Sequence, residues 1–275
     1  MKMNAIVLAG GIPQPNEALY PYSNGGSKAM IDVAGKPMVQ WVLDALAESK
    51  SVDQIIVVGL SQKSGLTCSK PLHFISNHGR MLANIIAGSE KSLELKPSNE
   101  YLLVCSADIP ALQSDMVDWL VKTAMQTDHD LYYGICPQEV MEARYPTSNR
   151  TYTKLKDIEL CGADINITRI SVIKEHLNTW EALIGNRKSP LRQAGIIGFD
   201  TLLQLAFRQF TLEALVERAS QRIGIRGRAI VWDHAEACMD VDKPHQLELM
   251  REDLSRQQKK AKPKTTNPKA RSKKK

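Results

Sequence analysis

Three short stretches of this chain hold residue types that can handle phosphate and a divalent cation. The first is Leu8-Ala9-Gly10-Gly11, followed downstream by Ser27-Lys28. The two glycines close an apolar run, Asn4 to Ala9, that reads as a buried strand. A glycine pair there lets the backbone approach a phosphate and turn N–H groups toward it. Lys28 supplies a mobile positive charge for phosphate oxygens. The pattern is neither G-x-x-x-x-G-K-[ST] nor G-x-G-x-x-G. A tight turn would use the same two glycines.

The second stretch is Ser106-Ala107-Asp108-Ile109-Pro110, directly after the apolar run Tyr101 to Cys105. A carboxylate at that strand end faces the crevice where open α/β sheets bind ligands. Carboxylate oxygens suit Mg²⁺, which takes one or two of them plus substrate phosphates. The competing role is a helix cap, for which Ser114 is better placed. The third stretch is Met239-Asp240-Val241-Asp242-Lys243-Pro244. In an extended chain Asp240 and Asp242 share one side, and either can complete a metal site with Asp108. Asp240 is preferred, because Asp242 can instead cap the helix that opens at Pro244.

These residues need a scaffold, and the hydrophobic pattern describes one. Strands are expected over Asn4 to Ala9, Gln54 to Val58, Leu72 to Ile75, Tyr101 to Cys105 and Leu131 to Cys136. Helices are expected after Pro37 and over Gly79 to Leu93 and Met116 to Met125. The alternation indicates an α/β fold: three layers, a mostly parallel mixed sheet flanked by helices. Thr151 to Ile170 reads as short strands and turns. Residues 171–225 read as a helical insertion, with helices over Val172 to Gly185, Phe199 to Gln209 and Leu212 to Ile223. A last strand, Arg228 to Trp232, precedes a helix from Pro244 to about Arg256. A single domain over 1–255 and a disordered basic tail over 256–275 follow.

Composition excludes other classes. The last 20 residues carry ten Lys/Arg and no Asp/Glu, so the net charge of +6 leaves −4 on the body. The basicity belongs to a tail without aromatics, and no specific nucleic-acid partner is expected. No run approaches the ~20 apolar residues of a membrane span. The start lacks a secretory pattern, so a cytoplasmic location is expected. The five cysteines, Cys68, Cys105, Cys136, Cys161 and Cys238, form no CxxC and read as reduced thiols. The six histidines show no HExxH spacing.

In their order and spacing these pieces resemble the GT-A-like nucleotidyltransferases, in particular the molybdenum-cofactor guanylyltransferase-like (NTP transferase) branch. LAGG…SKAMIDVAGKPM resembles its nucleotide-binding signature, SADIP its metal-binding Asp, and MDVDKPHQL its closing segment. His78 to Ile85 resembles the segment opening the helix beside the nucleotide, and Cys161 to Asn166 the turn that meets the acceptor. The likeness covers 1–110 and 225–250 well and the middle loosely. It implies nucleotide binding by Leu8, Ala9, Gly10, Gly11, Lys28, Asn77, Gly79 and Asn84. It implies acceptor binding by Asp164 and Asn166, and Mg²⁺ on Asp108 with Asp240 or Asp242. Lys28 and Asp108 would be catalytic. An NTP would pass its nucleoside monophosphate to a phosphorylated small-molecule acceptor, a sugar phosphate or cofactor precursor, and pyrophosphate would leave. The helical insertion over 171–225 is expected to form a lid, an acceptor surface or an oligomer surface, the last of which would serve a homodimer. One departure stands out: Ile12 to Glu17 holds no basic residue, where many relatives place an Arg against the departing phosphates. A nucleotide-sugar glycosyltransferase and a degenerate nucleotide-binding protein are the alternatives.

Overall fold

The computed structural model describes residues 1–185 and 207–261. Runs of β-branched and apolar residues form the strands expected of them. The first is β1 (Met3–Leu8), followed by a small hairpin of β2 (Asp32–Val33) and β3 (Lys36–Pro37). Then come β4 (Val52–Val58), β5 (Leu72–Ile75), β6 (Tyr101–Ser106) and β7 (Leu131–Pro137). The later strands are β8 (Thr153–Lys154), β9 (Glu159–Gly162), β10 (Ile165–Arg169) and β11 (Gly227–Val231). Among the described residues the main sheet has nine strands in the order β5-β4-β1-β6-β10-β7-β9-β8, with β11 paired to β7. Pairs β4–β5, β1–β4, β1–β6 and β7–β11 are parallel. Strand β10 runs antiparallel between β6 and β7, and β9 is antiparallel to both β7 and β8. The sheet is therefore mixed, with most strands pointing one way.

Helices cover both faces, and β1 shows why. Met3, Ala5 and Val7 enter a large core shared with α2 (Met38–Glu48) and α4 (Ser114–Ala124). Ile6 enters a smaller core on the other face, beside α3 (Met81–Leu95) and α6 (Ile170–Glu175). A strand buried on both faces has no polar side, which is why Asn4 to Ala9 reads as continuous apolar sequence. Asn4 itself is buried, and its amide donates to Ser92 Oγ at 3.0 Å.

The remaining helices are α1 (Tyr20–Ser23), α5 (Gln138–Arg144), α7 (Leu177–Gly185), α8 (Leu212–Ile223) and α9 (Pro244–Ala261). Several boundaries differ from the sequence expectation. Helix α3 begins at Met81 because Gly79 holds φ +79°, outside helical geometry. Helix α4 begins at Ser114 with Gln113 as its cap residue, so neither Asp108 nor Ser114 caps it. Of the helix expected over Phe199 to Gln209, residues 199–206 lie outside the described residues, and Phe207 to Gln209 are not helical. Helix α9 runs past Arg256 to Ala261. Gln257 donates to Asp253 within the helix, and Gln258 donates to the Ala34 carbonyl, a contact back to the body. Among the described residues no helix is long and apolar enough to cross a membrane.

One backbone contact sets the floor of the crevice at the strand ends. Gly59, just after β4, holds φ +105°, and a Cβ there would overlap the Cα of Gly10. The β1 and β4 turns are thus in direct main-chain contact, which only glycine permits. Gly59→Ala should destabilise the protein by about 2–4 kcal/mol, combining left-handed strain with overpacking. Urea unfolding checks this; a loss below about 0.5 kcal/mol would mean the two turns are free to part.

Candidate active site

Residue types at the strand ends become a site through a few main-chain bonds. At the end of β1 the Leu8 carbonyl accepts from Ala107 N at 3.2 Å, and Ala9 N donates to the Val58 carbonyl at 2.8 Å. Ser27 Oγ donates to the Ala9 carbonyl at 2.6 Å and accepts from Ala29 N. Lys28 N donates to the Gly11 carbonyl at 2.9 Å. Ser27 thereby folds the segment back over the first-strand turn and aims the Lys28 side chain across it. An added Cβ on Gly11 would meet open space, whereas one on Gly10 would meet the Asn77 amide at 2.9 Å. Neither glycine N–H donates to any group among the described residues.

On the far side, the Asp108 carbonyl accepts from Val241 N at 2.9 Å. This bond draws the Asp240–Asp242 segment against the end of β6. Val241 is buried, and the two flanking carboxylates take different partners. Asp242 Oδ1 lies 2.5 Å from Lys28 Nζ, and Asp108 Oδ2 lies 2.6 Å from the same nitrogen. Asp240 instead pairs with Arg150. The helix cap expected of Asp242 comes instead from Gln246, whose Oε1 accepts from Asp242 N and Lys243 N at 2.9 Å. That is the reach-back geometry of a capping box. Gln246 Nε2 also donates to the Ser148 carbonyl, tying in the loop that carries Arg150.

The Lys28–Asp108 pair is little screened, since both side chains are only 18% exposed, whereas Asp242 reaches Lys28 from the open side with 61% of its side chain exposed. Burial alone would lower the Lys28 pKa, but Asp108 and Asp242 outweigh it and hold the ammonium above the ordinary lysine value. Burial alone would raise Asp242, but Lys28 reverses this and holds its carboxyl below the usual range. Asp164 behaves oppositely. Burial and the negative charge of Asp108 push it up to about 7, against the pull of Arg150. Among the described residues, three carboxylates, Asp108, Asp240 and Asp242, and the proton-retaining Asp164 thus meet two enclosed cations, Lys28 and Arg150.

This excess of negative charge fits a divalent cation. Asp108 Oδ1 is buried with no hydrogen-bond partner among the described residues. Among the described residues no group of three or more His, Cys, Asp or Glu is gathered as a metal site. Mg²⁺ does not need one, because nucleotide phosphates supply its remaining ligands.

The other expected residues are placed as follows. Asn77 Nδ2 donates to the Gly10 carbonyl at 2.8 Å, and its Oδ1 accepts from Gly79 N and Asn84 Nδ2. Asn84 Oδ1 accepts from His78 N at 2.8 Å. Both amides hold the walls of the crevice through protein partners. Asn166 Oδ1 accepts from Gly134 N at 2.9 Å, and its Nδ2 donates to the Ala163 carbonyl at 3.2 Å. Asp164 sits beside Asp108 because its carbonyl accepts from Ser106 N at 2.8 Å. Sequence reasoning missed Ser27, Gly59, Arg150 and Gln246 as site residues. Gln246 carried a signal, three residues inside a helix opened by Lys243-Pro244. Arg150 carried none, being a lone arginine in an irregular loop.

A phosphate-receptive glycine turn, a cation and a carboxylate pair at the strand ends of such a sheet define a nucleotide-handling α/β protein. The chain belongs to the MobA-like NTP transferase domain family, whose model matches residues 5–176. A hypothetical transferase from Thermus thermophilus is similar at 30% identity and TM-score 0.78, covering 90% of this chain and 100% of that one. At the level of fold alone, CMP:2-keto-3-deoxy-manno-octonic acid synthetase complexed with CTP is similar at TM-score 0.61 and 14% identity, over 94% of this chain and 100% of that one. The 2-C-methyl-D-erythritol 4-phosphate cytidylyltransferase of Thermus thermophilus is similar in fold at TM-score 0.52 and 14% identity, over 93% and 100%. The bifunctional protein GlmU of Caldanaerobacter subterraneus is 25% identical over 46% of this chain, which spans only 26% of that protein.

Asp164 predicts a pH dependence. Its folded pKa of about 7 lies above the unfolded value of 3.8. The folded state then binds the extra proton between these values, so Asp164 lowers stability as pH rises from about 4 to about 7. Asp164→Asn removes that slope and should stabilise the free protein more at pH 8 than at pH 5. Urea melts at both pH values test this; equal effects would place the Asp164 proton elsewhere.

Proposed function

We propose that this protein is a Mg²⁺-dependent nucleotidyltransferase that moves a nucleoside monophosphate from an NTP to a phosphorylated small-molecule acceptor. The observation that carries the reading is the Lys28–Asp108–Asp242 constellation beside the N–H groups of Gly10 and Gly11, which donate to no group among the described residues. The triphosphate lies over the first-strand turn, where those N–H groups and Lys28 receive its oxygens. Ala9 and Leu8 fix the turn, while Asn77, Gly79 and Asn84 hold the wall beside the base. Asp108 holds Mg²⁺ together with Asp242, the better placed of the two aspartates, since Asp240 is engaged by Arg150. Bound there, Mg²⁺ supplies charge neutralisation and orientation of the phosphates.

The acceptor approaches from the Asp164–Asn166 turn, whose backbone Asn166 fixes. Its oxygen attacks the α-phosphorus in line, and the bond to pyrophosphate breaks. The chain's own contribution is positioning and charge complementarity. With no basic residue in Ile12 to Glu17, Lys28 carries more of the charge on the departing phosphates. A sugar phosphate or a cofactor precursor fits as the acceptor class. An NTP-consuming reaction and five unbridged cysteines suit the cytoplasm.

Thermal unfolding with each of the four NTPs, with and without Mg²⁺, tests the reading. One NTP should raise stability in a Mg²⁺-dependent way, by about 2.7 kcal/mol at 100 times its Kd. Asp108→Asn should lose that shift while keeping its ligand-free unfolding temperature within a few degrees of wild type. No shift with any NTP would count against a triphosphate donor and favour a nucleotide-sugar.

A further inference from the structure

Lys28 occupies a position that its proposed catalytic role does not require. Its ammonium lies between Asp108 Oδ2 at 2.6 Å and Asp242 Oδ1 at 2.5 Å. These are the same two carboxylates that the nucleotidyltransferase reading assigns to the divalent cation. Building on that reading, we infer that Lys28 is a built-in counter-cation. It holds the two carboxylates in the free protein and yields them only when nucleotide phosphates arrive to receive it. Cation and nucleotide then bind as one unit, and the site discriminates against either alone.

The geometry supports an exchange rather than coexistence. A divalent cation on the same two carboxylates would stand within a few ångströms of the ammonium, and the enclosed Lys28 and Asp108 side chains, each 18% exposed, leave that repulsion only partly screened. The exposed Asp242 carboxylate offers the arriving cation a first foothold, and the buried Asp108 Oδ1, with no hydrogen-bond partner among the described residues, adds negative charge behind it. An ammonium has three N–H donors, and the two carboxylates take two of them. The third can hold a phosphate oxygen before the others let go. The main chain need not move. Ser27 Oγ stays on the Ala9 carbonyl and Lys28 N on the Gly11 carbonyl. Only the flexible four-carbon stem swings, over a turn whose own N–H groups face the same phosphates. Because binding is reciprocal, nucleotide must strengthen cation binding by the factor that cation strengthens nucleotide binding.

The test uses Mn²⁺ as probe, with free Mn²⁺ read by electron paramagnetic resonance on the full chain without nucleotide. Wild type should bind Mn²⁺ weakly. Lys28→Met removes the competing charge and should bind it at least about tenfold tighter. Asp108→Asn placed in the Lys28→Met background should abolish that gain. Lys28→Gln serves as a second variant should the Met variant fail to fold, with the same gain expected. Equal or weaker Mn²⁺ binding in the Lys28 variants overturns the inference, and so does a gain that survives Asp108→Asn. Thermal shifts with NTP on wild type separate the two ideas. An NTP shift without a Mn²⁺ gain removes the exchange and leaves the transferase reading standing. A Mn²⁺ gain without any NTP shift does the reverse: cation and ammonium compete, but the donor is not a triphosphate.

Discussion

One ammonium joins three distant parts of the chain. Lys28 comes from the segment folded back over β1, Asp108 from the end of β6, and Asp242 from the approach to α9. An enclosed ion pair contributes little net stability, because desolvation offsets most of the attraction. Its effect is on arrangement: removing Lys28 leaves the enclosed Asp108 without its counter-charge. The neighbouring groups are ordered by the same requirement. Arg150 takes Asp240, and Asp164, with no cation of its own, keeps its proton up to about pH 7.

The parts of this arrangement that sequence reveals are those where a local pattern has one physical meaning. An apolar run ending in Gly10-Gly11 is a buried strand with a turn, and Asp108 after Tyr101 to Cys105 is a carboxylate at a strand end. The α/β architecture follows from the same alternation. What sequence hides depends on pairings across the fold. Strand β10 lies antiparallel between β6 and β7, although nothing in Ile165 to Arg169 encodes direction. Gly59 looks like any glycine after a strand until its neighbour is known to be the Gly10 backbone. Arg150 becomes meaningful only when the loop carrying it is tied to Gln246.

Asn77 and Asn84 mark a different boundary. Their types suit recognition of a base, yet in the free protein each amide is engaged by backbone or by the other. An amide already holding a loop presents the neighbouring main chain to a ligand more effectively than itself. Polar residues at a strand end can therefore serve a ligand by fixing the wall it touches, a distinction that residue type alone does not carry. Asn166 stands in the same relation to the acceptor-side turn.

The family model matches residues 5–176, whereas Asp242 lies well beyond it. Helix α9, which follows Asp242, reaches back to the hairpin near the start of the chain. Arg251 donates to the Asp32 carbonyl and Gln258 to that of Ala34. This closure has a consequence during synthesis. A ribosome that has made the sheet from β1 to β10 has made Lys28 and Asp108 but not the second carboxylate. For the time it takes to add about 70 more residues, several seconds at ordinary elongation rates, the lysine is held from one side only. The nascent chain therefore has every strand of its sheet but β11 before it has its crevice, and helix α9, made later still, is the one that closes it.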